Sequence, residues 1–343
     1  MNSCARIALA FAALSFATPA LAEDCGNLKL LTSLDMQATR GGTLLVPAGI
    51  NGTQMPLLLD TGGGVSSVTE KTADALHLSH LDSRLKTLDM RGNASQQFVR
   101  LDTLELGPLK GKDIDLMIWP DHNAQFNGLI AGDILKRYDV ELNFATLKFN
   151  LFSQDHCEGK VIYWPATALA VVPFAMSRAM TGNPDEPATI NTWPDTHIRV
   201  PVTLDGKTFK AIIDTGATIS SMSAAVARSA FGITADAPGA VRLNTGGSDP
   251  DDQRFGYIFH SLAFEGIAVT NPHIVIRPDL VGKKDPNNTN TAGSRIIRVD
   301  DGLEPDLTVG MDVLKHLHLY IAYREQKLYI TPPDQSAAPA AGQ

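Results

Sequence analysis

Two regions of the chain carry the same alternation of apolar and polar positions. From Val46 a short apolar run reaches Ile50, meets the polar pair Asn51-Gly52, and gives way to a second run, Met55–Leu59. From Val200 the order recurs: an apolar run to Leu204, the pair Asp205-Gly206, then Phe209–Ile213. Asn-Gly and Asp-Gly favour turns with positive φ at both positions, so each region predicts a β-hairpin. Each second strand runs straight into Asp-Thr-Gly, Asp60–Gly62 and Asp214–Gly216, at an offset of 154 residues. Ser66-Ser67 and Ser220-Ser221 keep that offset, and segments compatible with a short helix follow, Glu70–Leu76 and Ala224–Phe231.

A second match lies further along. Leu129–Lys136 resembles Thr308–Lys315, and alternating strand patterns follow both: Tyr138, Val140, Leu142 and Phe144, then Leu317, Leu319, Ile321 and Tyr323. The copies differ mainly by insertion, since 73 residues separate Asp60 from Asp133 but 98 separate Asp214 from Asp312. The extra length falls largely in 277–306, a polar stretch that reads as a long surface loop. Residues 153–195 join the copies and are expected to give one strand, Leu169–Phe174, to the second. Short strands punctuated by turns, duplicated once, predict an all-β chain of two tandem lobes. The expected bounds are 23–157 for the first lobe and 158–331 for the second, with 158–196 including the linker. The Pro/Ala-rich 332–343 is expected to be a disordered tail.

Composition adds a compartment. Residues 1–22 combine a basic start, an apolar run and a small-x-small ending at Ala20-Leu21-Ala22, the pattern of a removed signal peptide. The apolar run is too short to span a bilayer, and no later stretch reaches about 20 apolar residues. The expectation is a periplasmic or secreted protein that keeps no membrane segment after cleavage. The formal charge of −8 becomes −9 when Arg6 leaves, which argues against binding nucleic acid through its phosphates. Of three cysteines, Cys4 leaves with the signal. Cys25 and Cys157 then remain, and in an oxidising compartment they suggest one disulfide; the alternative is two unpaired buried thiols.

One Asp-Thr-Gly is a weak signal. Two copies, each ending an apolar strand inside a longer repeat, point to paired carboxylates; the bland alternative is an aspartate that anchors a turn after each strand. On these residues the chain resembles the aspartic proteases, and most of all the retropepsin-like members that occur in bacteria as a tandem of two lobes with a signal peptide. The resemblance runs from about Leu28 to Thr331. It rests on Leu58–Gly62, Ile212–Gly216 and the two segments around Asp133 and Asp312, which in that family cross beneath the catalytic loops. It implies two β-barrel lobes with the active site between them. It also implies Asp60 and Asp214 as the catalytic pair, and Thr61, Gly62, Thr215 and Gly216 as supports of the active-site loops. No cofactor or metal is implied. The expected substrate is an extended peptide or unfolded protein, bound by a monomer; pairing of a lobe with a copy from another molecule is the alternative.

Two carboxylates a few ångströms apart cannot both ionise cheaply, so they share a proton, and one serves as base while the other serves as acid. Gly63 and Ala217 stand where pepsin-like members carry a hydroxyl in at least one lobe. A carboxylate without that donor is less depressed in pKa, so activity is expected to reach milder acidity than a digestive pepsin. Two departures from the family pattern stand out. Lobe one has Ala131 where a glycine is expected, with Gly132 one place later, which is either harmless or loosens the support under Asp60. The segments 91–95 and 245–248 are candidate tips for a flap over the substrate, and neither holds the tyrosine of pepsin-like flaps.

Other chemistry is poorly supported. The nine histidines form no His-Glu-x-x-His, and His316-x-His318 reads as a surface or interface face rather than a metal site. Asp133 and Asp312 are expected to serve turns. The serine pairs lack a nucleophile elbow and look structural. Gly62-Gly63-Gly64 lacks the Lys-Ser/Thr of a phosphate loop. A noncatalytic peptide-binding module on the same fold is the competing reading.

Overall fold

The computed structural model describes residues 25–88, 94–119, 124–176, 196–243, 254–278 and 306–333. The signal segment, the candidate flap residues 91–93 and 245–248, nearly all of the 277–306 insertion, 177–195 of the connection and 334–343 of the tail lie outside the described residues.

The duplicated hairpins form as their dipeptides dictate. Leu44–Ile50 pairs with Thr53–Asp60, and Arg199–Leu204 with Lys207–Ile213, both antiparallel. Asn51 (φ 48°) and Gly52 (φ 83°), like Asp205 (φ 44°) and Gly206 (φ 77°), take the left-handed conformations that a two-residue turn requires. In each lobe the second strand then receives a parallel partner from far along the chain: Gly128–Ala131 beside Thr53–Asp60, and Leu307–Val309 beside Lys207–Ile213. A short strand after each Asp-Thr-Gly, Ser67–Thr69 or Ser221–Ser223, pairs antiparallel with that same partner. The result is an eight-stranded sheet in lobe one and a nine-stranded sheet in lobe two.

The two expected helices are present as Glu70–Ala75 and Ala224–Phe231, each N-capped by the residue before it. The hydroxyl of Thr69 accepts from the N–H of Thr72, and that of Ser223 from the N–H of Val226. In lobe one the antiparallel strands Leu81–Leu88 and Ala94–Leu106 pair up to Leu88 opposite Ala94.

The lobes are joined by a third sheet. Its six strands run in the order Leu30–Asp35, Lys148–Phe152, Asp139–Asn143, His318–Ala322, Lys327–Thr331, Ala170–Pro173. Three come from each copy, and the two central strands, Asp139–Asn143 and His318–Ala322, are antiparallel across the lobe boundary. The expected strand in the connection appears as Ala170–Pro173 against Lys327–Thr331. A main cluster of buried side chains runs through both lobes, which ties them into one hydrophobic unit. Cys25 and Cys157 form a disulfide, closing the first copy at its two ends.

The central sheet is not wholly apolar. Glu141 is 3% exposed and His318 1%, and His318 Nε2 lies 2.8 Å from Glu141 Oε1. Asn150 Nδ2 (2.9 Å) and the Tyr163 hydroxyl (2.5 Å) donate to the other carboxylate oxygen, and Trp164 stacks on the His318 ring. Of the pair read as one surface or interface face, His316 is exposed, whereas His318 is buried where the lobes meet.

Candidate active site

Asp60 and Asp214 sit at the ends of equivalent strands, where the chain turns back. Leu57, Leu59, Ala211 and Ile213 point into the core, so alternation turns each aspartate to the opposite face. Each keeps partial exposure there, while the threonine after it is fully buried.

The two threonines lock the loops together. The N–H of Thr61 donates to the Thr215 hydroxyl and the N–H of Thr215 to the Thr61 hydroxyl, both at 3.1 Å. Each hydroxyl donates in turn to the opposite strand, Thr61 to Ile213 O and Thr215 to Leu59 O, both at 2.7 Å. All four groups are thereby satisfied at a dry contact with pseudo-twofold symmetry.

The glycines answer a different need. A Cβ on Gly62 would lie 2.1 Å from Asp214 Cγ, and one on Gly216 would lie 2.6 Å from Asp60 Cγ. Each carboxyl thus packs on the glycine of the opposite lobe, and any side chain there would push the pair apart. The N–H groups turned inward hold the carboxylates: Gly62 donates to Asp60 Oδ1 at 3.0 Å, and Gly216 and Ala217 donate to Asp214 Oδ1 at 2.9 and 3.0 Å.

Behind each loop lies a second duplicated bracket. Asp133 Oδ1 accepts from the N–H (2.9 Å) and hydroxyl (2.6 Å) of Ser66 and from the N–H of Ile134 (3.0 Å). Asp312 Oδ1 accepts from the N–H and hydroxyl of Ser220 and the N–H of Val313 at the same distances, 2.9, 2.6 and 3.0 Å. The serine hydroxyls accept from Ala131 N–H and Gly310 N–H, both at 2.9 Å. Both serines and both aspartates thus brace the loops. The displaced glycine of lobe one does not loosen this support, because the backbone of Ala131 makes the same bond as that of Gly310. Gly132 is instead required by Thr196, whose Oγ1 lies 2.5 Å from where a Cβ would stand.

Two contributors carry no sequence signal. The Thr196 hydroxyl donates to Gly64 O at 3.1 Å, anchoring the lobe-one loop to a segment of lobe two. His197 follows it, with Cε1 3.8 Å from the Cβ position of Gly64. Both lie just before Val200, where the legible part of the second repeat begins, so the matching residues do not flag them.

The electrostatics favour one shared proton. Burial raises the Asp60 carboxyl well above the usual range, and the charge of Asp214 and a hydrogen bond to it raise it further, against the opposing N–H groups of Gly62 and Gly63. Burial also raises Asp214, but the N–H groups of Ala217 and Gly216, the hydrogen bond from Asp60 and the positive charge of His197 all counter the shift. Both carboxyls are raised, so the pair holds one proton between them. Their titration belongs to the pair.

A family model described as "Aspartyl protease" matches residues 46–134 and 200–313, more than half of the chain and one segment in each lobe. The chain belongs to the aspartyl protease family. No curated protein shows a significant match. Among solved structures, soybean basic 7S globulin superposes with a TM-score of 0.49 at 9% identity, covering 90% of this chain and 99% of its own. Lupine conglutin gamma gives 0.48 at 11%, covering 89% and 95%. A retropepsin-like aspartic protease from Rickettsia conorii gives 0.29 at 16% and covers 37% of this chain and 94% of its own.

Proposed function

We propose that this protein is an aspartic endopeptidase whose general acid and base are Asp60 and Asp214. The observation that carries the reading is that each carboxyl packs on the glycine of the opposite lobe, so that the paired threonines hold the two carboxyls face to face. Asp214 takes a proton from a water molecule as its oxygen bonds to the substrate carbonyl carbon, and Asp60 gives its proton to the carbonyl oxygen. The product of this step is a tetrahedral diol. Asp214 then protonates the amide nitrogen, Asp60 recovers a proton from a diol hydroxyl, and the C–N bond breaks. Both carboxyls end as they began, so no covalent intermediate is needed.

The substrate is an extended peptide or unfolded protein laid across the boundary between the lobes, held by backbone hydrogen bonds with side chains in flanking pockets. The disulfide suits a periplasmic or secreted location, and among the described residues no helix is long and apolar enough to cross a membrane. The test is cleavage of a denatured protein between pH 3 and 7 by the wild type, Asp60→Asn and Asp214→Asn. Cleavage that survives either substitution removes the carboxyl pair from the chemistry. A wild type that binds peptide and cuts nothing at any pH leaves a binding module.

A further inference from the structure

The dyad-bearing face of each lobe can be compared position by position, because the strand registers are duplicated. In lobe one, Leu58 stands two residues before Asp60 and shares its face. Leu45 is its partner on one side and Leu129 on the other. With Ala131 they make a separate apolar cluster, and Trp119 and Phe126, edge to face with each other at 5.6 Å between ring centres, pack against it. This cluster stands apart from the main core and borders Asp60.

The same register in lobe two gives a different surface. Ile212 stands two residues before Asp214, with Arg199 opposite it where lobe one has Leu45, and Thr308 where lobe one has Leu129. Trp119 lies beside Thr69 in the parallel pair; its counterpart beside Ser223 is Arg277. Two residues before Arg199 and on the same face, His197 takes the place of Thr43. Three positions that are uncharged in lobe one, two of them large and apolar, are thus basic in lobe two. Arg199 and Arg277 are both half-buried. Both already take part in interactions within the protein, but a guanidinium has five donors, and a carboxylate can use two of them at once.

We infer that the cleft selects a peptide with an apolar side chain on the lobe-one side of the scissile bond and an acidic side chain on the lobe-two side, drawn by the basic surface to which Arg199 and Arg277 contribute. Neighbouring side chains of an extended peptide point to opposite faces, so one residue can enter the cluster around Leu58 while the other reaches the arginines. The inference rests on the peptide-cleaving reading above and adds a substrate class to it.

The experiment digests a peptide library at pH 5.5, where a glutamate side chain is ionised, and sequences the cut ends. Two engineered forms accompany the wild type. One is the double substitution Arg199→Leu with Arg277→Trp, which gives lobe two the residues of lobe one; the other is Arg199→Lys with Arg277→Lys, which keeps the charge. Wild-type cut sites should pair an apolar residue with Asp or Glu. A chosen peptide with Glu at that place should be cleaved about tenfold better than its Gln twin. The Leu/Trp form should lose that preference and turn to apolar residues, while the Lys/Lys form should retain part of it. Cut sites without acidic enrichment, or enrichment that the Leu/Trp form keeps, overturn the inference while leaving peptide hydrolysis intact. If no form cleaves, hydrolysis fails as a function, and the Glu and Gln peptides are compared by fluorescence anisotropy. Tighter binding of the Glu peptide, abolished in the Leu/Trp form, then upholds the charge selection; equal binding overturns it as well.

Discussion

Thr61 and Thr215 hold each other across the lobe boundary, each N–H bonded to the other's hydroxyl at 3.1 Å and each hydroxyl bonded onward to the opposite strand. Every group in this contact depends on the other lobe. Thr215→Val removes the acceptor for Thr61 N–H and the donor to Leu59 O at nearly constant volume. It therefore leaves two buried groups unpaired, at a cost of about 2–4 kcal/mol. Thr215→Ser keeps the hydroxyl and loses a methyl, at a cost of about 1 kcal/mol. Urea unfolding of the two variants should separate them in that order, and the Val form should also lose peptide cleavage. A valine variant as stable as the wild type would mean that the contact does not couple the lobes.

The lobes solve one packing problem in opposite ways. A Cβ on Gly63 would lie 3.2 Å from the Ala131 methyl and 2.8 Å from Asp60 Oδ2. Lobe two has the methyl on Ala217 and glycine at 310, where a Cβ would meet Ala217 O at 2.8 Å. Each lobe thus carries a single methyl across this pair of positions. Gly63→Ala alone should cost about 1–3 kcal/mol by overpacking. Adding Ala131→Gly removes one of the two close contacts and should recover part of the loss, which a double-mutant cycle of unfolding free energies would detect.

The raised Asp60 carboxyl has a consequence for stability with a definite sign. The folded chain keeps a proton there at pH values where the unfolded chain, near the ordinary carboxyl value of 3.8, has released it. The folded state then binds more protons, so this site's contribution to stability falls as pH rises above about 4. Asp60→Asn removes the titration and retains a hydrogen-bond donor toward Asp214. It should raise the melting temperature at pH 7 by a few degrees, on the order of 1.4 kcal/mol for each unit by which the carboxyl is raised, and leave it nearly unchanged at pH 3.5. The same variant should lose about a thousandfold or more in cleavage rate, so stability and activity move in opposite directions. A variant less stable than the wild type at pH 7 would contradict a raised Asp60 carboxyl.

The duplicated hairpins, the two helices and the paired aspartates were legible because their determinants are local. Asn51-Gly52 and Asp205-Gly206 fix the turns, Thr69 and Ser223 cap the helices, and the offset of 154 residues marks Asp60 and Asp214 as equivalent. Contacts between distant segments left no such trace. Ala131 reads as a defect when aligned against a glycine; only the bond from its backbone to Ser66 shows the support to be intact. Thr196 and His197 lie just before the matching residues begin at Val200, and nothing in their neighbourhood marks them as partners of Gly64. His318 reads as one of a pair on an alternating strand, because its carboxylate partner stands 177 residues earlier.

That partner makes the central sheet a sensitive place. Glu141 is buried, and three groups satisfy it: His318, Asn150 and the Tyr163 hydroxyl. His318 comes from the other lobe, so the pair bridges the sheet where the copies meet. Removing one member of a buried pair leaves the other without its partner, whereas replacing both by apolar side chains avoids that penalty. His318→Leu should cost about 3–5 kcal/mol. The double form with Glu141→Leu should recover much of this but not all, since Asn150 and Tyr163 then lose their acceptor. Unfolding in guanidinium chloride of the two single variants and the double measures the coupling. A double variant that simply sums the two single costs would show that the pair contributes no mutual stabilisation across the lobes.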